Sequence, residues 1–378
     1  MHAPSTSLAQ LVEEAQRVLA ICNACRYCEG YCAVFPALER RLEFTEDDIH
    51  YLANLCHNCG ACLYSCQYAA PHEFNLDFPR VLAEVRVKTY RKYAWPSFLG
   101  NAFERNGVVV SVLTAKCIAL VLIFTALLTD PAKLFTAYSD AQGSFYAVLP
   151  HNALVAVFGA VSVFVVIAFA MGFARFWPDS GEEVFEFLKP ASLGHALHDA
   201  FTLKYLDGGG DGCTYPTERP SFTRRTFHHF TFYGFLLCFA ATSVATVYHY
   251  AFGWIAPYAF TSLPVVLGTL GGIGLLAGPA GLLWLKSRRD PELADLKQNG
   301  MDVSFLLLLF LVSLTGLALL YLRETRAMGM LLAVHLGTVL ALFLSMPYGK
   351  FAHALYRFAA LVRFHIERRR PLPGIGPE

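Results

Sequence analysis

Residues 224–249 read RRTFHHFTFYGFLLCFAATSVATVYH. After Arg224 and Arg225 this stretch carries no acidic or basic group except histidine. A helix rising 1.5 Å per residue needs about 20 apolar residues to cross a bilayer, and the run 230–252 meets that length. Working outward, five more runs meet it, so spans are predicted at about 108–128, 153–174, 230–252, 264–285, 303–322 and 328–346. Lys116 interrupts the first and is read as a cation snorkelling to the near surface. The composition agrees: of 378 residues 55% are hydrophobic and only 16% charged, whereas soluble chains carry roughly 25% charge. A net charge of +1 supplies no basic field to gather nucleic acid, which excludes that class of partner.

Six spans put both termini on one side, and the loop charges say which. The loop 175–227 carries Arg175, Lys189, Lys204, Arg219, Arg224 and Arg225, the next loop on that side carries Lys286, Arg288 and Arg289, and the tail carries six more from Lys350 to Arg370. The opposite loops hold few cations. Both termini are therefore expected in the cytoplasm, with the chain in the inner (cytoplasmic) membrane. The fourth span is rich in glycine, from Gly268 to Gly281. This reads first as close helix packing and second as room for a flat cofactor. The glycines at 208, 209, 210 and 212 mark an ordered or partner-touching loop.

Residues 1–95 have a soluble composition and read as short helices between cysteine clusters. Ser7 with Gln10 suggests a capping box, Thr45 with the acids that follow it starts a second helix, and a third is predicted from Phe78 to Tyr93 with its basic residues toward the membrane surface. The cysteines decide the chemistry. Cys22, Cys25, Cys28 and Cys32 follow C-x2-C-x2-C-x3-C, and Cys56, Cys59, Cys62 and Cys66 repeat it unchanged. Three thiolates in x2 steps wrap one [4Fe-4S] cubane while the fourth, displaced by the x3 step, ligates its neighbour. One cluster is thus assigned to Cys22, Cys25, Cys28 and Cys66, the other to Cys56, Cys59, Cys62 and Cys32. Zinc prefers CxxC pairs across a longer loop and has little use for the third cysteine. The prolines stand later than in bacterial ferredoxins, at Pro36 and Pro71. Cys117, Cys213 and Cys238 lack any such spacing and read as ordinary cysteines.

The histidines are informative by depth. His228 and His229 open the third span and His249 closes it, while His335 and His353 lie 18 residues apart along the sixth, about 27 Å of helix. Because the two spans run oppositely, His249 pairs with His335 at the outer level and His229 (or His228) with His353 at the inner level. Facing neutral imidazoles are the usual axial ligands of a b-type haem, so one or two haems are expected. Arg224 and Arg225 are candidate partners for propionates at the inner surface. His195 and His198 are alternative ligands on a loop helix. His57 and His72 flank the cysteines and are read as covering or tuning them. His50, His151 and His365 give no signal.

CNACRYCEGYC, CHNCGACLYSCQYA and the third-span motif together resemble the citrate/tricarballylate-utilisation protein B family, over nearly the whole chain. The membrane half is also distantly similar to the gamma subunit of respiratory nitrate reductase, in which two helices each supply two haem-ligating histidines. The resemblance implies an all-α protein with an N-terminal helical ferredoxin-like domain (1–95) holding two [4Fe-4S] clusters, then a six-helix cytochrome b-like transmembrane domain (96–378). It also implies a partner, a separate FAD-dependent dehydrogenase that oxidises tricarballylate to cis-aconitate and is reoxidised through this subunit. No strand-borne G-x-G-x-x-G occurs here, which places the flavin in that partner. Quinone as the acceptor follows only by analogy with membrane cytochromes b. Three other readings stay open: a redox-regulated tricarboxylate transporter, for which only Lys116 is a cation deep in a span, a cluster-based sensor, and an electron-transfer partner of a different flavoprotein such as a cobalamin-biosynthesis relative.

Overall fold

In the computed structural model, which describes residues 8–138, 143–289 and 296–371, the N-terminal stretch folds as α1 (Leu8–Cys25), α2 (Val34–Leu38), α3 (Glu46–Leu55), α4 (Ala61–Tyr64) and α5 (Phe78–Tyr93). Ser7 lies outside the described residues. Thr45 caps α3 as a capping box, its hydroxyl accepting from the Asp48 amide while the Asp48 carboxylate returns to the Thr45 amide. Apolar residues of α1, α3 and α5 close over one core that includes Val18, Leu19, Ile49, Leu52, Leu82 and Val85. The basic residues of α5 do not all face a membrane surface. Arg86 is buried and bonds to backbone carbonyls of Ala53 and Cys56, and Lys92 lies between Asp47 and Asp179.

Next in the chain come α6 (Asn106–Leu128), α7 (Ser144–Val148), α8 (His151–Asp179), α9 (Pro190–Phe201), α10 (Thr223–Phe252), α11 (Leu263–Ser287), α12 (Leu296–Leu322), α13 (Met328–Ser345) and α14 (Ala352–Glu367). Six of them (α6, α8, α10, α11, α12 and α13) are long and apolar enough to cross a membrane, consistent with a multi-pass membrane protein. The only strands among the described residues are a two-residue antiparallel pair, Cys213–Thr214 with Pro220–Ser221.

Glycines bring α10 and α11 together. A Cβ built on Gly271 would stand 2.8 Å from the Cys238 nitrogen and 2.8 Å from the Gly234 carbonyl oxygen, closer than side chains ever approach. Where α11 faces Gly234 and Cys238 the small residues thus serve close packing with α10, while Gly268 and Gly272 of the same helix border a cavity.

The sixth span does not continue to His353. Pro347 cannot donate to a continuing helix, residues Met346–Tyr348 tighten into a 3-10 turn, and Gly349 is extended at φ −142. Asn106 closes the break by donating to the Tyr348 carbonyl at 2.6 Å. His353 therefore sits on α14, a separate helix that leaves the bundle and enters the cysteine-bearing layer. There α14 is buried over most of its length. Glu367 accepts from Arg41, from Arg363 at 2.9 Å and from the Tyr51 hydroxyl at 3.1 Å, and Arg363 also reaches Asp48 at 3.2 Å. The N-terminal helices, α9 and α14 form one layer at one end of the six-helix bundle.

Candidate functional site

The fold brings the two cysteine motifs together in an interleaved way. Burial raises the Cys22 thiol to about 12, helped by Cys66, Cys28 and Cys25. Cys28 is raised to about 12 in the same way, chiefly by burial and then by Cys66 and Cys25. Cys22, Cys25, Cys28 and Cys66 line one cavity, with Cys62, Phe35, Leu76 and Phe78 around them. The second neighbourhood has different members. Burial raises Cys32 well above the usual thiol range, with Cys59 and Cys56 adding to it, and Cys62, which also borders the first cavity, is raised by burial and then by Cys59, Cys56, Cys32 and Cys28. Thiols crowded this way keep their protons unless a cation is present to stabilise the thiolates. Among the described residues no three His, Cys, Asp or Glu side chains are gathered tightly enough for a single metal ion.

Sequence spacing gave no sign of Cys213. The loop between α9 and α10 folds its glycines against the first motif, so that a Cβ on Gly209 (φ +89) would lie 3.1 Å from the Gly30 oxygen. It thereby places Cys213 in one buried cluster with Cys59, its thiol donating to the Leu206 carbonyl at 3.2 Å, and this neighbour favours the Cys59 thiolate. His57 is buried, with Nδ1 against the Leu55 carbonyl at 2.9 Å. Burial, and after it Arg357, keep it neutral. His72 packs edge-on to Tyr68 and Phe74 beside the cysteines.

Three guanidinium groups converge on the loop that opens the second motif. Arg86 donates to Ala53 O and Cys56 O at 2.8 Å each, Arg357 to Cys56 O at 2.8 Å, and Arg224 to Asn58 O at 2.5 Å and His57 O at 3.3 Å. Burial, with Arg86 close by, pulls Arg357 down to about 10. Arg224 is thus committed to the cysteine layer, and Arg225 donates to the Thr202 carbonyl at 2.7 Å.

The inner histidine pair is His228 with His353. Their ring centroids are 6.3 Å apart and the rings nearly perpendicular, at 83°. His353 Nδ1 donates to the Lys350 carbonyl, which leaves Nε2 with its lone pair. Burial, then Arg357 and Lys350, keep that ring neutral. His228 Nδ1 is buried without a hydrogen-bond partner. His229 points elsewhere, its ring 5.7 Å from Tyr233, because adjacent residues on a helix project about 100° apart.

At the other end of the bundle the expected pair separates. His249 stacks on His151 at 4.0 Å, and its Nδ1 is also buried without a partner. His335 lies against α12, its Nδ1 3.1 Å from the Thr315 hydroxyl, which itself donates to the Leu311 carbonyl at 2.8 Å. With that hydroxyl proton spent, His335 carries its own proton on Nδ1 and its lone pair on Nε2. His335 borders a cavity of about 680 Å³ between α10, α11, α12 and α13. Arg323 lines the same cavity, 6% exposed, with Nη1 on the Tyr258 carbonyl and Nε unpartnered.

His195 and His198 meet no membrane histidine. His195 stacks on His365 at 5.4 Å, and His365 and His198 flank Asp199. Burial raises the Asp199 carboxyl, but these hydrogen bonds outweigh it and hold the group at about 2. The cluster ties α9 to α14.

An almost wholly helical chain with a cysteine-rich head on six membrane-length helices defines a membrane protein of the ferredoxin-headed class. The chain belongs to the citrate utilization protein B family: that family's profile matches residues 104–374, and the profile of its Fer4-like domain matches residues 15–92. It is 53% identical over 358 residues to citrate utilization protein B of Escherichia coli, covering 94% of this chain and 93% of the relative. No solved structure matches it. The Fer4-like domain and the family together point to iron–sulfur binding and an electron-transfer role in citrate or tricarballylate utilisation.

Proposed function

We propose that this chain is the membrane electron-transfer subunit that reoxidises an FAD-dependent tricarballylate dehydrogenase and delivers its electrons to the quinone pool, with both termini in the cytoplasm. Cys22, Cys25, Cys28 and Cys66 would hold one [4Fe-4S] cluster and Cys32, Cys56, Cys59 and Cys62 the other. The grouping of Cys22, Cys25, Cys28 and Cys66 about one cavity, and of Cys32 with Cys56, Cys59 and Cys62, supports that division. His228 and His353 would hold a b-type haem. Imidazole nitrogens bind transition metals at about 2.0–2.1 Å, and with roughly 1 Å more from nitrogen to ring centre on each side, two coaxial ligands place their centroids about 6 Å apart. The observed 6.3 Å meets that requirement, and this pair carries the reading.

One-electron transfer is what such groups supply when bound. The protein's part is to hold them close and dry. Arg224 stands one helical turn before His228, and Arg357 one turn after His353. Both donate to the carbonyls of the Cys56–Asn58 loop, so the same two helices that present the imidazoles also grip the second cysteine motif. For the acceptor we favour the cavity beside His335. Its hydroxyls from Thr242, Thr246, Thr269 and Ser313 are spent on backbone carbonyls, while the Arg323 Nε–H and the His335 lone pair remain free for a quinone or hydroquinone oxygen. A second haem there would need His249 to leave His151.

Iron and haem analysis of the purified protein tests this. About eight non-haem irons and one b-type haem per polypeptide are expected, with dithionite-reduced α and β bands. Zinc in place of iron, or no haem, would refute the electron-transfer reading, and two haems would assign the cavity to the second one.

A further inference from the structure

The arginines on the second cysteine motif are held by backbone carbonyls. Among the described residues no carboxylate pairs with Arg86, Arg224 or Arg357, although Arg41 and Arg363, in the same layer, share Asp48 and Glu367. Asp302 on α12 is already divided between Lys286 and Lys350 at 2.8 Å each, so that triad adds a further positive charge instead of neutralising one. Arg86 is 3% exposed. Arg224 also lies over the Tyr215 ring, 4.6 Å from its centroid, but burying guanidinium groups with carbonyl dipoles and one aromatic face for company is costly unless an anion stands nearby.

A [4Fe-4S] core with four thiolates carries two negative charges when oxidised and three when reduced. Fixed cations therefore stabilise the reduced form more than the oxidised form, and net charge and hydrogen bonding are what set such potentials. The first neighbourhood lacks this setting. Cys22, Cys25, Cys28 and Cys66 have Phe35, Leu76 and Phe78 around them, Arg26 is exposed and turned to the Asn23 carbonyl, and the polar contact to Cys25 is a long one of 3.9 Å from Gln67. Their edge is also the open one, with Tyr27 68% exposed, whereas Cys56 and Cys59 are buried.

Resting on the two-cluster reading above, we infer that Arg86, Arg224 and Arg357 are positioning residues that make the cluster at Cys32, Cys56, Cys59 and Cys62 the higher-potential of the two and fix it as the exit toward His228 and His353. The cluster at Cys22, Cys25, Cys28 and Cys66 is then the entry, facing the soluble electron donor. Electrons run from entry to exit because three guanidinium groups donate to the second motif, while Arg26 at the first is exposed to solvent.

The test is a redox titration of the intact detergent-solubilised protein, followed by the paramagnetic signals of the reduced clusters. Cys32→Ser and Cys22→Ser assign each signal to its cluster. The wild type should show two separated midpoints, the higher belonging to the Cys32 set. Arg86→Gln and Arg357→Gln should each lower that midpoint by at least a tenfold change in the reduction equilibrium, 59 mV for one electron, and leave the other signal within threefold. Arg357→Lys, which keeps the charge, should recover most of the shift, an outcome that a merely structural role would not give. If the Arg86 variant fails to accumulate, Arg224→Gln, at a half-buried site, carries the same expectation. Equal or reversed midpoints, or variants that move the Cys22-set signal or neither signal, overturn the inference. Loss of both cluster signals from wild-type protein would instead overturn the underlying reading.

Discussion

His228→Ala and His229→Ala should part company completely, although the two residues are neighbours in the chain. The His228 ring faces His353 with centroids 6.3 Å apart, whereas His229 lies beside Tyr233. Changing only an outer-shell partner of a metal ligand costs about 10–100-fold in affinity, so deleting the ligand itself should cost more than about 100-fold. At micromolar protein His228→Ala is expected to purify without its b-type haem, and His229→Ala with a full complement. The assay is a pyridine haemochrome titration per polypeptide, with cluster signals recorded on the same samples to show that the cysteine-bearing layer is intact. The ring geometry adds a second readout. Perpendicular imidazoles, here at 83°, leave two iron d orbitals nearly degenerate, and the oxidised wild type should give a highly anisotropic low-spin signal. Haem lost from His229→Ala and kept in His228→Ala would refute the pairing, as would a rhombic signal typical of parallel rings.

Other substitutions probe what holds the site in place. Gly271→Ala should lower the melting temperature in detergent by an amount equivalent to about 1–3 kcal/mol of overpacking, because the new methyl meets the Cys238 backbone at 2.8 Å, while Gly30→Ala, with nothing within 4 Å, should be silent. Glu367→Gln removes the carboxylate shared by Arg41, Arg363 and Tyr51. A buried pair broken on one side costs about 3–5 kcal/mol, and limited proteolysis should then release the C-terminal helix at a denaturant concentration that leaves wild type intact. Cys213→Ser should keep about eight irons per polypeptide yet shift the midpoint of the cluster ligated by Cys59, and Cys117→Ser, far from both motifs, should shift neither.

The six membrane-length helices were legible because each needs only a long apolar run, a property of neighbouring residues that no distant contact has to supply. The capping box at Thr45 and the limits of α5 at Phe78 and Tyr93 were legible for the same reason. The steps within the first cysteine motif predicted that Cys22, Cys25 and Cys28 share one neighbourhood, since side chains three positions apart along a short turn cannot avoid it, and the three do line one cavity. Depth counting on a single helix also suggested histidine pairs, and there it reached its limit. It treated 328–353 as one rod, whereas Pro347 and Gly349 break it, and it could not choose between His228 and His229, whose directions differ by about 100° around α10. Nor could it see that His249 turns to His151 and His335 to Thr315. Rotation about a helix axis is set by what the helix packs against, here the glycine face of α11 against α10. The arrival of Arg86, Arg224 and Arg357 at one loop, and of Cys213 beside Cys59, depends on chain segments up to about 300 residues apart meeting in one layer. The sequence alone therefore determined that thiols and imidazoles sit at the two levels of a helical membrane protein. Only the tertiary structure decided which of them face one another and where the unpaired positive charge collects, because orientation and long-range charge are properties of packed surfaces and not of spacing along the chain.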